Sequence, residues 1–276
     1  MTSTPTHSLP LDEKPGRTLQ LRGKAGVDVP VRVTERGQGE DVVFLHGLVG
    51  LNDHWELVIE RIADRARSTA LEVPLLNLTG DDCSIHGVTT LTAEFLSTQL
   101  RRPAVLVGNS FGGHVALKIA LEHPHLCRGL VLAGASGLIE KSMVSEVQLR
   151  PTRPWLEKKI GELFHDRSKM NQADVDRAYA ELNDRRRAHA MVKLSRSARR
   201  NHLGDEIHRI NVPTLVIWGR QDIVTPPEAA DEFASKIRGA KLVWFDRCGH
   251  APMIESPAEF ADALSHFVSG IGSGGR

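Results

Sequence analysis

Val105-Leu106-Val107-Gly108-Asn109-Ser110-Phe111-Gly112-Gly113-His114-Val115-Ala116 is the stretch on which the fold turns. Three branched apolar residues form a short run that suits a strand buried on both faces. G-x-S-x-G follows at once, and the next residues, Val115 to Leu121, carry a helical pattern. A serine between a strand and a helix on so tight a turn brings its flanking residues close together, so Gly108 and Gly112 read as positions where a side chain would clash. The helix also aims its N-terminus at the serine, where developing negative charge is favoured. Ser110 is therefore the candidate nucleophile.

Working outward, four more apolar runs resemble the first: Val42 to Leu45, Gly129 to Ala133, Leu215 to Trp218 and Leu242 to Phe245. Thr18 to Leu21 and Pro30 to Thr34 read as a pair of edge strands. Helical patterns lie between the runs. Trp55, Val58, Ile59 and Ile62 share a face, as do Leu91, Phe95, Leu96 and Leu100. Pro226-Pro227 and Ser256-Pro257-Ala258-Glu259 are helix starts. Strands alternating with helices predict a mainly parallel α/β sheet of about eight strands, covered on both faces. The alternation breaks over 140–211, where Trp155 to His165, Gln172 to Leu182 and Arg186 to Arg199 look like amphipathic helices. Strand-like sequence then resumes, so residues 1–139 and 212–276 are expected to form one core, with 140–211 a helical lid inserted in it.

Composition narrows the classes. The net charge is +1 and no run of about 18 apolar residues occurs, so neither nucleic-acid binding nor a membrane span is expected. The first residues lack the apolar core of a signal peptide. Cys83, Cys127 and Cys248 are too few and too scattered for a disulfide framework, which points to a reducing, cytoplasmic setting. The Gly- and Ser-rich end, Ser269 to Arg276, reads as frayed. The insertion holds sixteen Lys and Arg against eleven Asp and Glu, with Arg185-Arg186-Arg187 at its centre. The expected partner is a small-molecule substrate, and the expected assembly a monomer or homodimer.

A serine hydroxyl needs a base. Of 13 histidines, His250 lies just past a strand and before the final helix, at the end of a parallel sheet where sites form. His46 and His114 read as packed residues, and His123 and His125 as solvated. No pair of histidines shows zinc-ligand spacing with a supporting Cys or Glu, so a metal site is not indicated, and no cofactor is expected. Asp222, just past Leu215 to Trp218, is the first choice for the carboxylate that orients the base, with Asp246 and Asp205 as competitors. Backbone N–H groups of Phe111 and Leu48 are the candidate oxyanion donors, the second supplied by the turn His46-Gly47-Leu48-Val49-Gly50. Asn109 and Val224 are candidates to line the substrate site.

Together HGLVG at 46–50, GNSFGG at 108–113, GRQD at 219–222 and CGH at 248–250 resemble the α/β-hydrolase superfamily, over about Thr18 to Val268. The resemblance implies hydrolysis through an acyl-enzyme, with a carboxylic ester as the first substrate class. GNSFGG is similar to the GNSMGG elbow of carbon–carbon hydrolases that act on meta-ring-fission products, the second class. HGLVG in place of their HG-x-G-P-G, and Ala251 in place of the Trp they often carry after the histidine, depart from that group. Perhydrolase activity and a ligand-holding receptor are further uses of the same fold.

Overall fold

The computed structural model describes residues 16–48, 52–139 and 151–272. Eight strands form one sheet: β1 (Arg17–Arg22), β2 (Asp28–Arg36), β3 (Glu40–Leu45), β4 (Ala66–Glu72), β5 (Ala104–Asn109), β6 (Cys127–Ala133), β7 (Thr214–Gly219) and β8 (Lys241–Phe245). Their order is β1-β2-β4-β3-β5-β6-β7-β8. β2 runs antiparallel to both its neighbours, and every pairing from β4 to β8 is parallel. This is the α/β-hydrolase sheet, mostly parallel and flanked by helices.

Side-chain alternation explains why both faces are covered. Val43, Leu45, Leu106, Leu132, Val216 and Trp218 point into one apolar layer, shared with helices α2 (Ile85–Glu94), α3 (Phe111–Glu122) and α7 (Pro227–Lys236). Val42, Phe44, Val105, Val107, Val131 and Ile217 point the other way, against α1 (Glu56–Ile62) and the last helix. A strand apolar on both sides can only sit inside such a sandwich, and every residue of β5 and β7 is buried.

Three expectations change. Of the expected edge pair only β1 is an edge: β2 pairs with β1 on one side and, from Arg32 onward, with β4 on the other, and Pro30 sits just before the stretch that β4 covers, where its missing N–H is tolerated. β4, Ala-Arg-Ser-Thr-Ala-Leu-Glu, has no apolar run and so carries no strand signal of the kind seen in the others, although Ser68 and Thr69 are buried in it. The end of the chain is helical as far as Gly272, in the last helix Pro257–Gly272, so the reading of Ser269 onward as frayed is revised; Phe267 and Val268 anchor that helix to the core, and residues 273–276 lie outside the described residues.

Between β6 and β7 the chain leaves the sheet and forms α4 (Arg153–Gly161), α5 (Gln172–Leu182) and α6 (Arg185–Arg200). Thr152, Asn171 and Asp184 cap their starts by accepting backbone N–H bonds. The helices are tied to the core by polar contacts. Arg177 pairs with Asp53 at 3.0 Å, Arg187 donates to Asn77 Oδ1 at 3.1 Å, and Lys193 reaches the carbonyl of Gly80. α8 (Pro252–Glu255) and α9 (Pro257–Gly272) close the chain.

Candidate active site

Ser110 stands between β5 and α3 at φ 53°, ψ −119°, a backbone geometry that an L-residue rarely adopts. Such a residue costs roughly 1–3 kcal/mol and persists only where its surroundings enforce it. They do so here. The Ser110 N–H donates to Ala133 O at 3.2 Å, and the Ser110 carbonyl accepts from Ser136 N at 3.0 Å and His114 N at 3.2 Å. A side chain on Gly108 would meet the carbonyl of Gly112, and one on Gly112 the carbonyl of Leu45. A side chain on Gly113 would strike Ala135 as well, a third tight position just outside G-x-S-x-G.

The turn after β3 lies against this elbow: a Cβ placed on Gly47 would be 3.4 Å from the Cβ of Ser110. Leu48 follows directly, while Val49 and Gly50 lie outside the described residues. His46 is buried and its Nδ1 bonds Gly47 O at 2.8 Å; burial holds its imidazole below the usual histidine range, so it is a neutral tie for the turn. On the other side of Ser110, Phe111 opens α3, and its N–H is one of the four that no helical carbonyl accepts.

His250 and Asp222 meet across the ends of β7 and β8. Nδ1 of His250 is 2.9 Å from Asp222 Oδ2, and both residues are buried. A carboxylate only accepts, so Nδ1 carries the proton and Nε2 is left as the basic nitrogen. The carboxylate is held from all sides. Oδ1 accepts from Val224 N at 2.8 Å and Thr225 N at 3.0 Å, and Thr225 Oγ1 lies 2.8 Å from Oδ2. Thr225 Oγ1 is also 3.1 Å from His250 Nδ1. Gly134, at φ 51°, packs on the pair: an added Cβ would be 3.0 Å from His250 Nδ1. Asp246 is set apart from this group, with its side chain 81% exposed and paired to Arg220 at 2.9 Å. Asp205 is exposed in the insertion.

Asn109 joins the two halves. Its Nδ2 donates to Ala133 O at 2.8 Å and to His250 O at 3.0 Å, which fixes the histidine loop beside the elbow. Both amide hydrogens are thereby committed to the backbone, and only Oδ1 of this side chain is left to meet a substrate. Val224 is half-buried and supports the carboxylate through its N–H. Thr225 and Gly134 belong to the site without standing in any of the sequence motifs. An Asp followed two and three residues later by backbone N–H groups it can bond is a local turn signal that points to Thr225; nothing local points to Gly134.

His114 is fully buried on α3, with Nε2 3.1 Å from Asn201 Oδ1. Burial pushes its pKa down to about 4. All three cysteines are buried thiols whose pKa burial raises, Cys127 to about 12, which makes them poor nucleophiles. Among the described residues no cluster of His, Cys, Asp or Glu could hold a metal ion, and no helix is long and apolar enough to cross a membrane.

Comparison with known proteins agrees with this architecture. The chain is 26% identical over 256 residues to a pimeloyl-[acyl-carrier protein] methyl ester esterase of Nitrosomonas europaea, covering 85% of this chain and 98% of the esterase. It is 29% identical over 262 residues to a 2-hydroxy-6-oxo-6-(2'-aminophenyl)hexa-2,4-dienoic acid hydrolase of Metapseudomonas resinovorans, covering 87% and 88%. The crystal structure of a serine hydrolase involved in carbazole degradation superposes with a TM-score of 0.78 at 26% identity, over 92% of this chain and 99% of that one. The alpha/beta hydrolase family matches residues 42–263, and the chain accordingly belongs to that family of hydrolases.

Proposed function

We propose that the protein hydrolyses a small or medium carboxylic ester through an acyl-enzyme, with Ser110, His250 and Asp222 as the triad. The observation that carries this reading is the buried Asp222–His250 pair at 2.9 Å, tied by Asn109 to the strained turn that bears Ser110. Ser110 Oγ attacks the carbonyl carbon while His250 Nε2 takes its proton. Negative charge then gathers on the carbonyl oxygen, where the N–H groups of Phe111 and Leu48 receive it. Collapse expels the alkoxide, which takes the proton back from His250. Water repeats the sequence with His250 as base and releases the acid. Asp222 stays ionised and stabilises the imidazolium that forms twice per cycle. Of the lid expected at 140–211, residues 140–150 lie outside the described residues, and the helices of 151–211 act as the lid over this site.

A second substrate class has a specific observation in its favour. One of the relatives above is named for a hydrolase of a hexadienoic acid, and its identity to this chain is 29%. In that reading the same three residues serve cleavage of a carbon–carbon bond in a vinylogous diketone.

The test is direct. Wild type should be labelled by a fluorophosphonate at Ser110 and should hydrolyse p-nitrophenyl acetate; Ser110→Ala should do neither while staying folded. Labelling at another serine overturns the triad. Turnover of a ring-fission product at a kcat/KM above that of every ester in a chain-length panel moves the assignment to the second class.

A further inference from the structure

The helical insertion touches the histidine loop through a carboxylate that the triad does not use. Glu255 ends α8, five residues after His250. Its Oε1 accepts the N–H of Gly249 at 2.6 Å, and its Oε2 accepts the N–H of Asp166 at 2.9 Å. Gly249 adjoins His250; Asp166 belongs to the chain just after α4. One side chain thus bridges the loop that carries the imidazole and the insertion.

The bridge is reinforced beside it. The N–H of His250 itself donates to Leu163 O at 2.8 Å. Gly249 lies so close beneath this segment that an added Cβ would be 2.8 Å from Leu163 O and 2.9 Å from His165 N. Gln221 Oε1 accepts the N–H of Cys248 at 3.0 Å from the β7 side. The backbone of 248–250 therefore has every N–H committed, and two of the acceptors, Glu255 and Leu163, couple it to the insertion. A carboxylate accepting two backbone N–H groups makes charge-assisted bonds, roughly twice as strong as neutral ones.

We infer that Glu255 is a positioning residue for His250: by joining Gly249 to Asp166 it makes the placement of the imidazole depend on the docking of the insertion. This rests on His250 being the base. Nε2 must lie within hydrogen-bond reach of Ser110 Oγ and in line with the departing proton, and a displacement of about 1 Å from such geometry can cost 10²-fold in rate. The effect therefore falls on the chemical step and not on substrate binding.

The experiment compares Glu255→Ala, Glu255→Gln, His250→Ala and the exposed neighbour Glu259→Gln with wild type. Readouts are kcat and KM for p-nitrophenyl acetate, the rate of fluorophosphonate labelling, and thermal melting. Glu255→Ala should lower kcat and the labelling rate together by about tenfold or more, with KM changed by less than about threefold. Glu255→Gln keeps one oxygen for Gly249 but turns an NH2 towards the N–H of Asp166, so it cuts the bridge to the insertion and should lose part of kcat, falling between wild type and Glu255→Ala. Glu259→Gln should match wild type. Wild-type kcat and labelling in Glu255→Ala overturn the inference, as does a raised KM with kcat intact, which would make Glu255 an anchor for the substrate pocket alone. If Glu255→Ala does not fold, Glu255→Gln decides: a kcat equal to that of Glu259→Gln overturns the inference, and a lower kcat at unchanged KM supports it. Full activity in His250→Ala is a different result, because it removes the base and with it the proposed function.

Discussion

Replacing Asp222 by Asn tests the triad through the tautomer of His250, and the surroundings decide which way the new amide points. Oδ1 faces two backbone N–H groups, Val224 at 2.8 Å and Thr225 at 3.0 Å. An NH2 placed there would confront both donors, and each buried N–H left without an acceptor costs about 1–3 kcal/mol. The carbonyl oxygen of the introduced amide therefore keeps the Oδ1 place, and its NH2 takes the Oδ2 place, 2.9 Å from His250 Nδ1. It donates, so Nδ1 must accept and the ring proton moves to Nε2. Nε2, the nitrogen that the proposed mechanism uses as base, is then already protonated and cannot take the hydroxyl proton. The expected loss is about 10⁴ in kcat, the size found when a triad carboxylate is amidated in a mechanistically similar protease. That corresponds to about 5 kcal/mol of barrier. Because the two backbone bonds survive, the melting temperature should move little. Steady-state hydrolysis of p-nitrophenyl acetate beside Asp246→Asn is the assay. Retention of more than a tenth of wild-type kcat in Asp222→Asn, or an equal loss in Asp246→Asn, would refute the reasoning.

Further outcomes follow from other parts of the molecule. Ser110→Gly should abolish activity yet raise stability by about 1 kcal/mol in urea denaturation, because glycine accepts a φ of 53° without strain, whereas Ser110→Ala keeps the strain. His114, at about 4 when folded against an ordinary histidine value of 6.5, binds its proton more weakly in the native state. Its contribution is intact above pH 6.5 and is lost as pH falls towards 4, by about 2 kcal/mol between pH 7.5 and 5. His114→Gln should flatten that part of the stability profile, and an unchanged slope would count against it. The basic insertion should steer anionic substrates: kcat/KM for a carboxylate-bearing ester should fall with added salt more than for a neutral one. Arg186 is the group to neutralise, its side chain being 94% exposed, and identical salt responses would leave it an ordinary solvated residue.

What the sequence disclosed follows from how local each signal is. β3, β5 and β7 are legible because strands buried on both faces must be apolar on both, and Val42 to Leu45 can hardly be anything else. The glycines of the elbow are legible because a local backbone crossing demands them. β4 is not, since Ser68 and Thr69 are buried by their neighbours β2 and β3 and not by any preference of their own. Asp222 is the first choice as partner of His250 from the sequence, but Asp246 also follows a strand and competes with it. Only the folded arrangement separates them, burying one under three donors and leaving the other on the surface with Arg220. Glu255 and Leu163 show the same limit, as their partners lie across the fold and leave no periodic trace.

The place where the helices leave the sheet has a consequence for how such a chain can diversify. β6 and β7 are adjacent and parallel, Leu130 to Ala133 pairing with Thr214 to Ile217, so the sheet fixes both ends of the intervening chain, which leaves at the end of one strand and crosses back to the start of the next. Closing a longer excursion between fixed ends costs only the logarithm of its length, about 0.6 kcal/mol per doubling for a flexible loop. Whole helices can therefore be lengthened, traded or remodelled there while the strands that carry Ser110, Asp222 and His250 stay in register. The sheet behaves as a chassis and the excursion as an exchangeable fitting, and chimaeras cut at Gly134 and Pro213 are the natural units with which to transplant substrate preference between relatives.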